Sequence, residues 1–235
     1  MPDEFVEKHV SLLPEIRAIN RIFANIRLFF GMHIELHYLP CLAYMSLLLQ
    51  GEQKLSFEVM EHFTKQSYRN RCRILGANGV EVLSVPVMHT SGHKVFTKDV
   101  QIDYSQDWVR RHSGAMQSAY GKAPFFEHFE PFIQQIFAKK NKFLVDLNID
   151  FLKLTMKIIG KDFHYSFTDD FLDQEGISFF NQIQAKGALD GSSLVNSVPY
   201  RQCFGTDFVS NLSILDLLMN HGRDSKQILE QMKIN

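Results

Sequence analysis

The sequence predicts an α/β protein: a mixed sheet with a βαβ-like opening and a β-hairpin, packed by a helical middle and C-terminal part. Three observations predict this class. Residues 32–36 and 54–59 alternate apolar with polar side chains and flank a compact apolar run that suits a helix. Two further strand-like stretches flank Gly76-Ala77-Asn78-Gly79, and Asn-Gly is the strongest short-range hairpin signal. From residue 107 onward, apolar side chains recur at helical spacing over three successive segments.

Taken in order, residues 32–36 form the first strand and His37-Tyr38-Leu39-Pro40 the loop after it. Pro40 suits the first helical position, where its missing N–H costs nothing, so residues 41–49 form the helix and Gly51 stops it. Leu55, Phe57 and Val59 then alternate with Lys54, Ser56 and Glu58 in a second strand. Parallel pairing of the two strands puts the loop 37–40 at a strand carboxyl end, where open α/β sheets bind ligands. The hairpin arms are residues 71–75 and 80–87. Residues 87–97 are expected to be a flexible loop, since Ser91-Gly92 breaks any period, and residues 99–104 resume as a strand with Val100 and Ile102 on one face.

Asp107 is expected to cap a helix with Trp108, His112, Ala115, Met116 and Ala119 on one face, ended by Gly121. Pro124 starts a second helix whose stripe Phe125, Phe129, Phe132, Ile133 and Phe137 reads as core. A third, residues 142–159, repeats Leu144, Leu147, Phe151, Leu154 and Ile158 and stops at Gly160. Residues 161–205 are poorly patterned and take no assigned element; residues 183–193 read as a loop over the site or a disordered excursion. Ser213, with Asp216 three residues on, reads as a helix N-cap with a reciprocal partner. His221-Gly222 ends that helix, and Asp224 or Ser225 caps a last one over residues 226–232.

The 235 residues are 45% hydrophobic and 22% charged, ordinary for a folded domain. Lys+Arg 25 against Asp+Glu 26 leaves a formal charge of −1, so no global field draws nucleic acid or anionic lipid. No nucleic-acid partner is expected, and no apolar run approaches the roughly 18 residues of a membrane span. Cys41, Cys72 and Cys203 are odd in number and widely spaced, with no CxxC pair, which argues for a reducing compartment over a disulfide framework or a structural zinc site. Residues 1–31 begin acidic, and Arg27 interrupts their later apolar stretch, unlike a secretory signal. They are expected to lie outside the domain, as a disordered N-terminal extension of translated upstream sequence. Residues 32–235 then form a single domain, which a chain truncated at Met32 is expected to retain.

The densest polar motif is Tyr68-Arg69-Asn70-Arg71. Guanidinium forks grip oxyanions bidentately, so phosphate or carboxylate binding is apt; the alternative is a strand edge with solvated arginines. Strand alternation would put Arg69 and Arg71 on one face and Tyr68 and Asn70 on the other. His37, beside Tyr38 at a strand-to-helix turn, is a candidate general acid/base, because imidazole titrates near physiological pH; the alternative is a histidine bonded to the loop backbone. His112, one turn after Trp108 on an apolar face, is weighed as a second catalytic histidine against a satisfied core residue. Ser213 and Asp216 are read as a cap rather than as part of a nucleophilic triad. A thiol–imidazole pair of Cys41 and His37 is a weaker reading. The His33/His37 spacing suits a metal only on a helix, and His33 falls in a strand, so no metal ligand is assigned.

Several stretches together resemble the WbqC-like family, named from genes in bacterial O-antigen clusters. They are His37-Tyr38-Leu39-Pro40 with Tyr44; Lys65-Gln66-Ser67-Tyr68-Arg69-Asn70-Arg71 with the hairpin after it; Trp108, His112, Tyr120, Ala123, Pro124 and Phe126; and residues 200–204 through Phe208 to residues 211–216. The matches run in order over roughly residues 32 to 223, and the second phrase is similar to a subgroup of Bacteroidetes-type bacteria. The chain departs from the family pattern in having His37 where Pro or Asn is usual, and in lacking a segment like Tyr-Ile-Asn-x-x-Gly-Gly.

The resemblance implies a cytoplasmic bacterial enzyme of surface polysaccharide synthesis, a sugar-modifying enzyme or a transferase acting on an activated amino sugar. Its partner would be a nucleotide-sugar or other anionic small molecule; no particular cofactor is implied. On this reading His37 and His112 are catalytic, and Tyr38, Tyr44, Tyr68, Arg69, Asn70, Arg71, Trp108 and Tyr120 bind substrate. His37, Tyr38, Arg69 and Arg71 are expected to converge on one cleft. The rival reading is a non-catalytic small-molecule-binding or scaffold protein that kept the fold.

Overall fold

A computed structural model of the chain describes residues 32–50, 54–88, 94–170, 177–185, 191 and 194–233. The extension 1–31, Gly51 and Ser91-Gly92 lie outside the described residues, as does part of 183–193. The α/β class is as predicted. β1 (Met32–Glu35), α1 (Leu42–Leu49) and β2 (Leu55–Glu58) form a βαβ unit with the strands parallel and in register, Glu35 opposite Glu58. The hairpin is β3 (Arg71–Gly76) and β4 (Gly79–Ser84), closed by Ala77-Asn78 with Gly79 at φ +103°, a conformation glycine adopts freely. Helices α2 (Trp108–Tyr120), α3 (Phe126–Ala138) and α4 (Leu144–Ile158) follow. Two short strands then complete the parallel sheet: β5 (Tyr165–Phe167) beside β2 and β6 (Ile177–Ser178) beside β1, in the order β5-β2-β1-β6. Helices α5 (Ile214–His221) and α6 (Ser225–Gln231) close the described chain.

All eight residues of α1 are buried. A helix apolar on every side belongs in a core, and α1 lies between the sheet and the C-terminal turns, where Ser46 Oγ donates to Met232 O (2.8 Å). Its start carries no local side-chain cap. Instead the N–H of Leu42 donates to Leu212 O (3.0 Å) and that of Ala43 to Asn211 Oδ1 (2.9 Å). In return Ile214 N–H donates to Pro40 O (2.8 Å) and Ser213 Oγ to Leu39 O (2.9 Å). The N-termini of α1 and α5 thus cap each other across some 170 residues of sequence, which satisfies amides that a lone helix start leaves open. That anchorage holds Leu39 at φ +44°, unusual for a bulky residue.

Two apolar clusters flank this junction. One joins the sheet, α1 and the inner faces of α5 and α6; the other joins the hairpin, α2 and α3. Helix α4 serves both, turning Ile149, Leu152 and Met156 to the first and Leu147 and Phe151 to the second. The chain crosses between them at residues 36–38: Leu36 packs in the first, Tyr38 in the second.

Several local expectations differ. Cys41 is the N-cap of α1, so Pro40 lies just outside the helix. Residues 99–104 form no strand: a 3₁₀ turn (Thr97–Asp99) gives way to isolated bridges at Gln101 and Ile102. Asp103 N–H donates to Pro86 O, but proline has no N–H to return, so the ladder stops there. Asp107 precedes α2 as expected, yet its side chain makes no capping bond. Phe132 is 45% exposed; the buried stripe of α3 is Phe126, Ile133, Ile136 and Phe137. Ser213 does cap α5, accepting from Leu215 N–H (3.3 Å), but Asp216 turns inward and bonds elsewhere.

Candidate functional site

Side chains alternate along a strand, so His33, Glu35 and His37 leave β1 on one face and Met32, Ile34 and Leu36 on the other. In-register pairing sets Glu58 beside Glu35 and Ser178 beside His33. The polar face is buried: His33, Glu35, His37 and Glu58 are each exposed by no more than 1%. Buried polar groups of this kind must find partners.

Most do. His33 bonds Glu58 Oε2 through Nε2 (2.9 Å) and Ser178 Oγ through Nδ1 (3.1 Å). The other Glu58 oxygen accepts from Met60 N–H (2.6 Å) and Thr168 Oγ1 (2.9 Å). Arg69 grips Glu61 through both Nε and Nη2, and Nη2 also donates to Asn181 Oδ1 (3.0 Å). Asn181 N–H in turn donates to Glu35 Oε2 (2.9 Å), and His37 Nε2 lies 3.0 Å from Glu35 Oε1. Tyr44 stacks on the His37 ring at 4.3 Å and donates its hydroxyl to Glu35 O (2.7 Å); the Tyr68 ring lies 5.4 Å away.

Electrostatics sorts the central pair. Burial works to raise the Glu35 carboxyl, but the His37 hydrogen bond and the His37 and Arg69 charges outweigh it and hold it below its ordinary value. Burial pushes the His37 imidazole down, further than Glu35 draws it back, and the Arg69 charge adds to that. A carboxylate only accepts, so His37 Nε2 carries the ring proton and the lone pair sits on Nδ1. Nδ1 is buried with no hydrogen-bond partner.

His37, Tyr44, Tyr68 and Arg69 therefore meet in one centre at the carboxyl ends of the parallel strands. The expected single cleft does not form, because Tyr38 and Arg71 leave toward the hairpin. Residues 67–70 form a turn rather than a strand, so Tyr68, Arg69 and Asn70 are all buried and the expected alternation does not hold there. Tyr38 donates to His112 Nδ1 (2.9 Å), and His112 Nε2 donates to Ser84 O (3.2 Å). Burial pushes the His112 imidazole down to about 4, against the pull of its Ser84 bond. Trp108 packs edge-on against His112 at 5.0 Å. Asn70, Arg71 and His112 line a cleft of about 490 Å³ beside the hairpin.

Tyr120 falls in a third place, beside Asp216 and under a cleft of about 750 Å³ lined by Gln117, Lys122, Arg201, Cys203 and His221. Asp216 Oδ2 accepts from Tyr200 Oη (2.7 Å) and Gln202 Nε2 (3.0 Å). Burial raises the Asp216 carboxyl above its ordinary value despite those bonds. The native state then holds a proton that the unfolded state has released, so stability falls as pH rises from 3.8 through the raised value. Asp216→Asn is expected to shrink that loss; equal urea midpoints for both proteins from pH 4 to 8 would contradict it.

Sequence reasoning does not single out Glu35, Glu58 or Glu61, and it weighs His33 only as a metal ligand. The signal was present, since titratable side chains at every second position of an otherwise apolar strand share one face. Among the described residues, no group of three His, Cys, Asp or Glu side chains is placed to hold a metal ion, and no helix is long and apolar enough to cross a membrane.

A family model described as the WbqC-like protein family matches residues 36–197 and 192–228. The chain is 22% identical over 225 residues to "Uncharacterized protein Rv1507c" of Mycobacterium tuberculosis (strain ATCC 25618 / H37Rv), covering 83% of this chain and 95% of that protein. No solved structure matches the chain.

Proposed function

Because the chain belongs to the WbqC-like protein family, we propose that it is a group-transfer enzyme acting on an activated amino sugar in bacterial surface polysaccharide synthesis, with His37 as its general base. The polysaccharide link rests on the family resemblance alone. One observation carries the chemistry: the buried, unpartnered Nδ1 of a histidine whose Nε2–H is held by a carboxylate. Leaving such an acceptor unsatisfied costs about 1–3 kcal/mol, and an acceptor substrate's hydroxyl or amine supplies the missing donor. In the reaction Nδ1 takes that proton as the acceptor's lone pair attacks the transferred group, whose leaving group departs with its bonding pair. The imidazolium formed is stabilised by Glu35, which Asn181 N–H keeps in place.

The base acts only when neutral, so the acid limb of kcat/KM is expected below 6.5, the ordinary imidazole value from which His37 is lowered. Nucleotide-sugars are screened for thermal stabilisation and then for turnover. His37→Asn is expected to cut turnover by roughly 100-fold or more with little loss of binding. Full turnover in that variant, or no stabilising ligand at all, rejects the assignment.

The rival reading, a binding or scaffold protein, is favoured by the 1% exposure of His37 and Glu35, which suits a purely structural pair. Diethylpyrocarbonate separates the two. Modification of His37 that a ligand prevents supports the enzyme, and an unreactive His37 supports the scaffold.

A further inference from the structure

The cleft beside the hairpin carries an inference independent of the His37 reading. Arg71, the first residue of β3, places its Nε in a buried position with no hydrogen-bond partner. Asn70 is 7% exposed; its Nδ2 donates to Val85 O (3.0 Å), which fixes the amide's orientation and leaves Oδ1 buried and unpartnered. Both residues line the same cleft, so an unpartnered cationic donor and an unpartnered acceptor lie buried in its wall.

The surrounding charge has one sign. Lys65, Arg71 and Arg111 line the cleft against a single acid, Glu81, in a chain whose formal charge is −1 overall. None of the three cations is in a salt bridge among the described residues; Arg111 makes only a long contact to Gln106 (3.5 Å). His112 at the wall adds no charge near neutrality, since burial lowers it to about 4. About 490 Å³ is the size of a small-molecule site.

We propose that this cleft binds a phosphoryl group, with Arg71 as its principal ligand, Lys65 and Arg111 as flanking charges, and Asn70 Oδ1 accepting from a hydroxyl of the same ligand. A guanidinium suits a tetrahedral oxyanion because its fork meets two oxygens at once. An acceptor beside it selects for a ligand that also offers a hydroxyl, as a hydrogenphosphate or a sugar phosphate does.

The test measures thermal stabilisation and calorimetric affinity of the full chain for inorganic phosphate and for a hexose 1-phosphate, against chloride at equal ionic strength. Both phosphates are expected to stabilise the protein where chloride does not. The tighter of the two tells whether the natural ligand is the free anion or an ester. Arg71→Gln is expected to weaken both by roughly tenfold or more with the unliganded melting temperature unchanged, because no internal bond is lost. Arg111→Gln weakens them less, and Lys157→Gln, on an exposed part of α4, leaves them unaltered. Equal binding by wild type and Arg71→Gln, or stabilisation by chloride as strong as by phosphate, overturns the proposal. No arm reads turnover, so failure here leaves the His37 assignment standing, and the reverse holds too.

Discussion

Arg69→Met is expected to destabilise the fold by about 3–5 kcal/mol, seen as a lower urea midpoint with an unchanged slope. The Arg69 and Glu61 side chains are only 4% and 6% exposed, and their contact is two-pronged. Removing the guanidinium strands the Glu61 carboxylate in a site where burial already raises its pKa, with Glu35 and Glu58 adding to the rise. It also removes the charge that helps hold Glu35 ionised, a bond to Asn181, and a cation–π contact with Phe180 at 5.6 Å. The cost is that of an uncompensated charge, not of one hydrogen bond. Adding Glu61→Leu to Arg69→Met is therefore expected to restore a large part of the loss, since two apolar groups leave no uncompensated charge where the pair stood. A single-variant loss under about 1 kcal/mol would mean that water reaches the pair.

Acid is expected to weaken the protein well before its ordinary carboxylates titrate. The cause is His112, whose folded-state value of about 4 lies below its ordinary 6.5. Between those limits the unfolded chain binds a proton that the native state refuses, so stability falls as pH falls, by about 1.4 kcal/mol per unit at most. Over the whole window the contribution is on the order of 3 kcal/mol. His37 is shifted in the same direction and adds to it, whereas Asp216 and Glu61, both raised, act in the opposite sense. His112→Gln isolates this contribution, because glutamine can still donate to Ser84 O and accept from Tyr38 without titrating. Its stability curve is expected to be flatter than that of wild type between pH 6.5 and 4. Parallel curves would place the acid sensitivity elsewhere.

The elements visible in the sequence are those whose cause is local. The period-2 patterns of β1 and β2, the all-apolar α1, the Asn78-Gly79 hairpin and the Ser213 cap each act within a few residues. Strands β5 and β6 were missed because three and two residues, with Ser166 and Ser178 among them, hold no periodicity to read. They are strands only because the edges of β2 and β1 accept them. Residues 99–104 erred the other way: the alternation was present, but a ladder needs donors on both sides and Pro86 offers none.

The candidate site divides along the same line. Strand alternation by itself determined that His33, Glu35 and His37 share a face, and that Tyr38 departs from His37 to the opposite side. Such a face ordinarily meets water. Only the tertiary structure decided that it is sealed, by Glu58 in register, Arg69 from the turn before the hairpin, and Ser178 and Asn181 from a region without sequence pattern. Desolvation depends on how much chain arrives from a distance and on whether it brings partners. Periodicity along one strand carries neither quantity, yet those two lower the His37 pKa and leave its buried Nδ1 without a partner.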